Sequence, residues 1–553
     1  MGFQVSDKVK KILFGLIGLG VILMVVGIFT QKRYLFPEVH DDYHLTVISN
    51  FEGYAGDTDY QAALTDLKKE VETALGEEYV VTIDDKSGVC TDPHHDHGHD
   101  AEGHDHEGGE ETHEHEDDHS DHAHHGPAVV WHISIAHAGH GEEHSEGENH
   151  EGGHVTEEHA DHGSHAHVGG HGHGTIPAEE LASKFESGEL SVKDAENRRL
   201  WSNLLVNGFF FFGIALGALF YLGLHYATES GWGVVLLRVF EGVSSAIWLG
   251  MAALLVVLLA ATFGMNDIYP WMDSETVNSD AIIYGKGAYL NKGFFWIRII
   301  AYFFVFGFFM MWFRKTSRKE DEEGGVEHHF KMYRRGALFL VFFAVFSSTM
   351  AWDIIMSIDT HWFSTLFGWY TFSGIWLSGM IMIMMVTLYM KSKGALEFVN
   401  ENHIHDVGKW MFAISFLWSY LWFSQFMLIW YSNIPEEVTY FIARFNDYKY
   451  IFMGMFAVNF VLPMVFFMSR DTKRSAPYLI VIGLIIFIGH WFDVFCMVMP
   501  GTVFAEWEYG MLEIGMFMAF LGGFLLLVFK GLASAPLVQK NHPYLQESIH
   551  HEF

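Results

Sequence analysis

The sequence predicts an all-α multi-pass membrane protein: about ten transmembrane helices, two four-helix bundles plus flanking helices, with one outer acidic, His-rich insertion. Two observations carry this prediction. Half of the 553 residues are hydrophobic and 16% are aromatic. They gather in runs of about twenty, each able to cross the ~30 Å hydrocarbon core as a helix. The formal net charge of −34 is also confined to one place. Residues 31–199 hold 40 Asp and Glu against 9 Lys and Arg, a balance of −31 (40 minus 9), which leaves the remainder nearly neutral.

The first apolar run, about 12–30, follows Lys8, Lys10 and Lys11. No small-residue cleavage pattern follows Phe29 and no cysteine invites lipidation, so it reads as a retained helix rather than a signal peptide. Nine more spans follow at roughly 203–226, 232–262, 293–313, 336–357, 364–390, 408–431, 449–469, 478–500 and 511–530. With the N-terminus placed inside, the inner segments hold 18 Lys and Arg, and the short outer loops hold only Lys286, Lys292, Arg444 and Lys449. That asymmetry places both termini inside and the insertion outside. The expected location is a bacterial inner membrane, with cytoplasmic termini and residues 31–199 in the periplasm. The chain then divides into a first helix (1–30), the insertion (31–199), a bundle of spans 2–5 (200–357), a bundle of spans 6–9 (358–500), and a last helix with its tail (501–553).

Within the insertion, 41–85 and 127–136 carry short apolar patterns suited to a small α+β unit, and "TDLKKEVETALGEE" reads as an amphipathic helix. Residues 91–126 and 138–174 are His, Gly, Asp and Glu with almost no large apolar side chains, so they cannot bury a core and are expected to lack fixed structure. His94 to His173 include 24 of the chain's 36 histidines. Such density binds Zn, Ni or Cu loosely, through residues such as His94, His95, His97, His99, His104, His106, His113 and His115. A metal centre of fixed geometry needs three or four held ligands with supporting partners, which a glycine-rich tract does not supply. The tract therefore reads as a solvated insertion with incidental metal affinity.

Charged residues inside spans are rare and expensive, so each is a candidate functional group. Arg238 and Glu241 lie three residues apart on one helix face of the third span, in its inner half. Arg298, Asp353, His490 and Asp493 fall in the outer halves of the fourth, fifth and ninth spans, with Asp359 and His361 in the loop just beyond the fifth. Two polar half-paths separated by a gap resemble a proton relay; the competing reading is a set of pairs that fix helix packing. The residues argue against a haem or iron–sulfur cluster in this chain. CxxCH is absent, Cys90 and Cys496 are the only thiols, and one clearly embedded histidine, His490, cannot make a bis-histidine haem. Nucleic acid is not a partner, because the acidic segment repels phosphates. "STMAWDIIMSI" in the fifth span and "IGHWFDVFCMVM" in the ninth each pair Trp with Asp in the outward half, consistent with a parallel repeat of the two bundles.

Three stretches, "GWGVVLLRVFEG" (231–242), "WDIIMSIDTHWFSTLFGWYTFSG" (352–374) and "SQFMLIWYSNIPEE" (424–437), resemble the ActF subunit of bacterial alternative complex III. The similarity covers about 200–535 together with the first span. ActF belongs with the NrfD-type, polysulfide-reductase-like membrane subunits built from two four-helix bundles. The resemblance implies a subunit of a quinol:cytochrome c (or other carrier) oxidoreductase without a redox cofactor of its own. It implies quinol at a related NrfD-like membrane subunit, haem c in a multihaem cytochrome partner, and clusters in an iron–sulfur partner. Proton translocation by the two membrane subunits is the further implication, and the buried charges above are the positions that could serve it. The His-rich insertion departs from the family pattern.

Two other classes compete with a scaffolding, proton-conducting subunit. A zinc-type transporter would use the outer histidines but needs a second embedded ligand pair beside His490 and Asp493; a purely structural anchor would leave the charges without a task. Deleting 91–126 and 138–174 while keeping "GPAVVWHISIA" should leave assembly and electron transfer nearly intact and sharply lower metal binding. Normal assembly with lost electron transfer, read by quinol oxidation assays, would give the tract a working role.

Overall fold

The computed structural model describes residues 4–30, 43–49, 79–85, 129–137, 195–504, 507 and 509–552. The chain separates into two compact units, one of residues 1–33 with 194–553 and one of residues 34–193. In the second unit, β1 (Tyr43–Ser49), β2 (Tyr79–Asp85) and β3 (Val129–His137) form an antiparallel sheet in the order β1-β3-β2, with Tyr43 opposite Ile135 and Tyr79 opposite His137. The strands fall on the apolar patterns noted in the sequence. The expected amphipathic helix and the His-rich tract, His94 to His115 included, lie outside the described residues.

The first unit is all-α, and ten of its helices are long and apolar enough to cross a membrane. α1 is Asp7–Thr30 and α2 is Ala195–Ala227. The third span is discontinuous, built of α3 (Leu237–Ser244) and α4 (Ile247–Thr262). Then come α5 (Lys292–Glu323), α6 (Glu327–Ile354), α7 (Leu366–Ser392) and α8 (Glu401–Ser432). A short amphipathic α9 (Pro435–Asn446) precedes the eighth span, which consists of α10 (Lys449–Phe456), a π-helical turn at Ala457–Val461, and α11 (Leu462–Phe466). α12 (Ala476–Thr502) and α13 (Met511–Ala533) complete the set.

The helices close into two rings of four. The first is α2, α3–α4, α5 and α6; the second is α7, α8, α10–α11 and α12. α2 joins them, packing on α4 and α6 in its own ring, on α7 and α12 in the other, and on α13. Apolar runs alone would permit this contact but not make it close; small residues do. A Cβ at Gly217 of α2 would meet the Ile375 carbonyl at 2.4 Å, and one at Gly379 of α7 would meet the Ala218 nitrogen at 2.9 Å. α1 lies against α13 through the same device, since a Cβ at Gly20 would stand 2.6 Å from the Gly515 carbonyl. Large apolar side chains such as Ile297, Phe304 and Val341 point outward and are exposed, as a lipid-facing surface requires.

The third span breaks between α3 and α4 for a local reason. The Ser244 hydroxyl donates to the Glu241 carbonyl at 3.1 Å and that of Ser245 to the Gly242 carbonyl at 2.7 Å, competing with backbone donors just past Glu241.

Candidate functional site

The helix ends define two faces, one carrying the chain termini and one where the insertion departs. On the terminal face the predicted Arg238–Glu241 pair forms, at 2.8 Å. It is part of a larger group. Arg238 also pairs with Asp321 at 2.5 Å and donates to the Ser317 carbonyl at 3.2 Å. The chain beyond α13 folds back here, and the Gln539 amide donates to Ser317 Oγ at 2.6 Å and Tyr226 Oη at 2.8 Å. Glu320, fully buried, has neither carboxylate oxygen hydrogen-bonded. Beside it His542 is pushed down to about 3 by burial and by the imidazoles of His329 and His225, so its ring is neutral.

The residues predicted for the outer halves do not form one cluster; they form two, in different rings. In the first, Arg298 of α5 holds Asp353 of α6 with two hydrogen bonds of 2.8 Å, and Tyr302 donates a third at 2.8 Å. The guanidinium stacks on Tyr289 and Phe294 at 3.9 and 4.3 Å and donates to the Tyr289 carbonyl. Asp353 thus has a bidentate cation and sits one residue from the end of its helix. Its surroundings fit a packing pair. His361 pairs with Asp280 at 2.6 Å in an exposed setting, which the structure does not bring to either buried group. Asp359 likewise stays apart from them, in the loop between α6 and α7.

The second cluster is different. Asp493 lies about nine residues, or ~14 Å, inside the insertion-side end of α12, and is 1% exposed. Tyr370 of α7 donates to its Oδ1, and Trp418 of α8 to its Oδ2 at 2.9 Å. Among the described residues no Arg or Lys pairs with it. The His490 Nδ1 stands 3.6 Å away, and both nitrogens of that buried ring lack a hydrogen-bond partner. A cavity of about 10 Å³, roughly the room for one water, is lined by His490, Asp493, Thr371, Gly374 and Ser378. The Thr371 hydroxyl, also buried, has no partner. On the far side of Tyr370 a second small cavity is bounded by Gln425, Tyr440, Arg444 and Cys496.

Several members of these groups were not legible as such. Arg444 counted in the sequence as an outer-loop cation, but it is 3% exposed and works inside. Pro500 lies within α12 and has no N–H for the carbonyl four residues back, Cys496. Arg444 supplies that bond, its Nε donating to the Cys496 carbonyl at 3.0 Å. Burial pushes the neighbouring Tyr440 hydroxyl up to about 12 against the opposing charge of Arg444, so it stays a donor. Asn459, in the π-helical turn, is fully buried with both amide atoms unpartnered, and a Cβ at Gly489 would strike its oxygen. The π-turn was a detectable signal only in three dimensions. Near the insertion side of α2, Arg199 and Asn203 bind Glu513 of α13 at 2.8 Å each, and Asn207 accepts from Trp491 at 3.0 Å. Between Asn207 and Tyr221 the helix presents only apolar or small residues for thirteen positions, and the two polar residues stand ~21 Å apart along it.

The chain matches no protein-family model and no curated protein. The contrast between the two buried carboxylates therefore rests on geometry, and stability reads it directly. Asp353→Asn strands Arg298 in the core and should cost about 3–5 kcal/mol. Asp493→Asn leaves no cation behind and should cost less than about 1.5 kcal/mol. Unfolding midpoints of the two variants in the same detergent check this; equal losses would contradict it.

Proposed function

We propose that this chain is a membrane subunit of a quinol-oxidising respiratory complex, akin to ActF, and that Asp493 is its proton-exchanging group. It sits in a bacterial inner membrane with cytoplasmic termini and binds no redox cofactor itself. Quinol is oxidised at a related NrfD-like subunit, and electrons leave through iron–sulfur and multihaem cytochrome partners.

The observation that carries the proton role is Asp493 itself, a carboxylate at membrane depth held only by neutral donors. A charge there without a counter-ion is costly, and a proton removes it. The adjoining cavity has room for one water between the carboxylate and the unpartnered nitrogens of His490. On the other side Tyr370 leads toward Tyr440 and Gln425. The three stretches that resemble ActF support the same reading. Residues 231–242 hold Arg238 and Glu241; 352–374 hold Asp353, Tyr370, Thr371 and Gly374; 424–437 begin beside Gln425. The apolar stretch of α2 separates this group from the terminal-face cluster, so transport needs water or a rearrangement between them.

Purified gently from native membranes, the chain should arrive with haem-bearing and iron–sulfur partners. In proteoliposomes of that complex, Asp493→Asn should lower the ratio of protons released to electrons passed, while Asp353→Asn should leave the ratio unchanged in whatever fraction assembles. Isolation alone as a metal-transporting oligomer, or an unchanged ratio in an intact Asp493→Asn complex, would refute the reading.

A further inference from the structure

We propose that Glu320, His329 and His542 form a binding site for a divalent transition-metal cation of the zinc class, which fastens the C-terminal tail to the α5–α6 hairpin. Each residue brings one ligand atom within 4.8 Å of the other two, and all three residues are buried. They come from three separate segments: the end of α5, the start of α6, and the tail more than two hundred positions later. Around a zinc at ~2.1 Å, tetrahedral ligands stand ~3.4 Å apart, so these atoms close by at most ~1.4 Å.

The independent observation is Glu320. It is fully buried and neither oxygen has a partner, while the nearby Arg238 turns its two Nη groups to Glu241 and Asp321. A fully buried carboxyl with both oxygens unpartnered has its lone pairs free for a cation. His329 is set up as a ligand. Its Nδ1 is buried and unpartnered, and its Nε2 lies 3.3 Å from Glu229, the arrangement in which a carboxylate orients an imidazole bound to metal. The rings of His329 and His542 meet edge-on with centroids 5.0 Å apart. The His542 Nδ1 accepts the Tyr544 N–H at 3.2 Å. Metal at Nε2 places the ring proton on Nδ1 and gives up that one long hydrogen bond. Two nitrogens and one carboxylate oxygen suit zinc and its neighbours rather than magnesium or calcium, and water takes the fourth position.

The His-rich tract also takes up metal, so total stoichiometry cannot test this site; a local readout can. Lys540 is exposed, two residues before His542, and its backbone N–H is held by Asp321 at 2.8 Å. Trypsin reaches the bond after Lys540 only when the tail lifts. In the full-length protein, stripped with a chelator and then given Zn²⁺ at ten times its Kd, cleavage there should slow about tenfold. His329→Gln should abolish the slowing. Glu320→Gln should abolish it too while folding at least as well as the parent, because it replaces a buried, unpartnered carboxyl with a neutral group of the same shape. Cleavage that ignores Zn²⁺ in the parent, or that slows equally in well-folded Glu320→Gln, would overturn the proposal.

Discussion

The constraint on which the structure turns is the cost of a charge in a low-dielectric core. Every buried ionised group in the helical unit has to be answered, and the answers differ. Asp353 is answered by a bidentate guanidinium and a phenol. Glu513 is answered by Arg199 and Asn203. Arg444 spends its charge on the Cys496 carbonyl that Pro500 leaves open and on that of Met497. Asp493 receives only neutral donors, and that difference sets it apart from Asp353 and Glu513.

The two rings show how a repeat can diverge at one residue. Asp353 and Asp493 lie on the fourth helix of their rings, in the same direction. The partners of Asp353 come from the preceding helix, α5, whereas those of Asp493 come from the first two helices of its ring, α7 and α8. The cation present in one ring is missing in the other. α2 binds the rings together through glycine contacts, so the site at Asp493 is backed by α2 residues Phe209 and Phe210 rather than by lipid. Those two rings close one side of the small cavity by His490.

The ten spans were legible because twenty-residue apolar runs have one physical meaning in a chain of this composition. The Arg238–Glu241 pair was legible because three residues is a helical spacing. The rest depended on contacts that no local pattern encodes. Asp321 and Glu320 sit in "RKEDEEGG", which reads as solvated, yet α5 continues through it and the tail from Gln539 to His542 covers it. Arg444 follows an amphipathic turn and looks like a loop cation until Pro500 is brought opposite. Tyr370 and Trp418 are two aromatic residues among many; only their aim at Asp493 distinguishes them. The expectation of one outer cluster of titratable groups failed because span depth is readable from sequence, whereas the ring to which a helix belongs is not.

The most direct measurement is the infrared difference spectrum of the intact complex upon quinol addition, recorded in light and heavy water. If Asp493 exchanges a proton during turnover, a carboxyl C=O band should appear or shift, should move on deuteration, and should vanish in Asp493→Asn while surviving in Asp353→Asn. A spectrum with no carboxyl change, or one whose band persists in Asp493→Asn, would contradict the account.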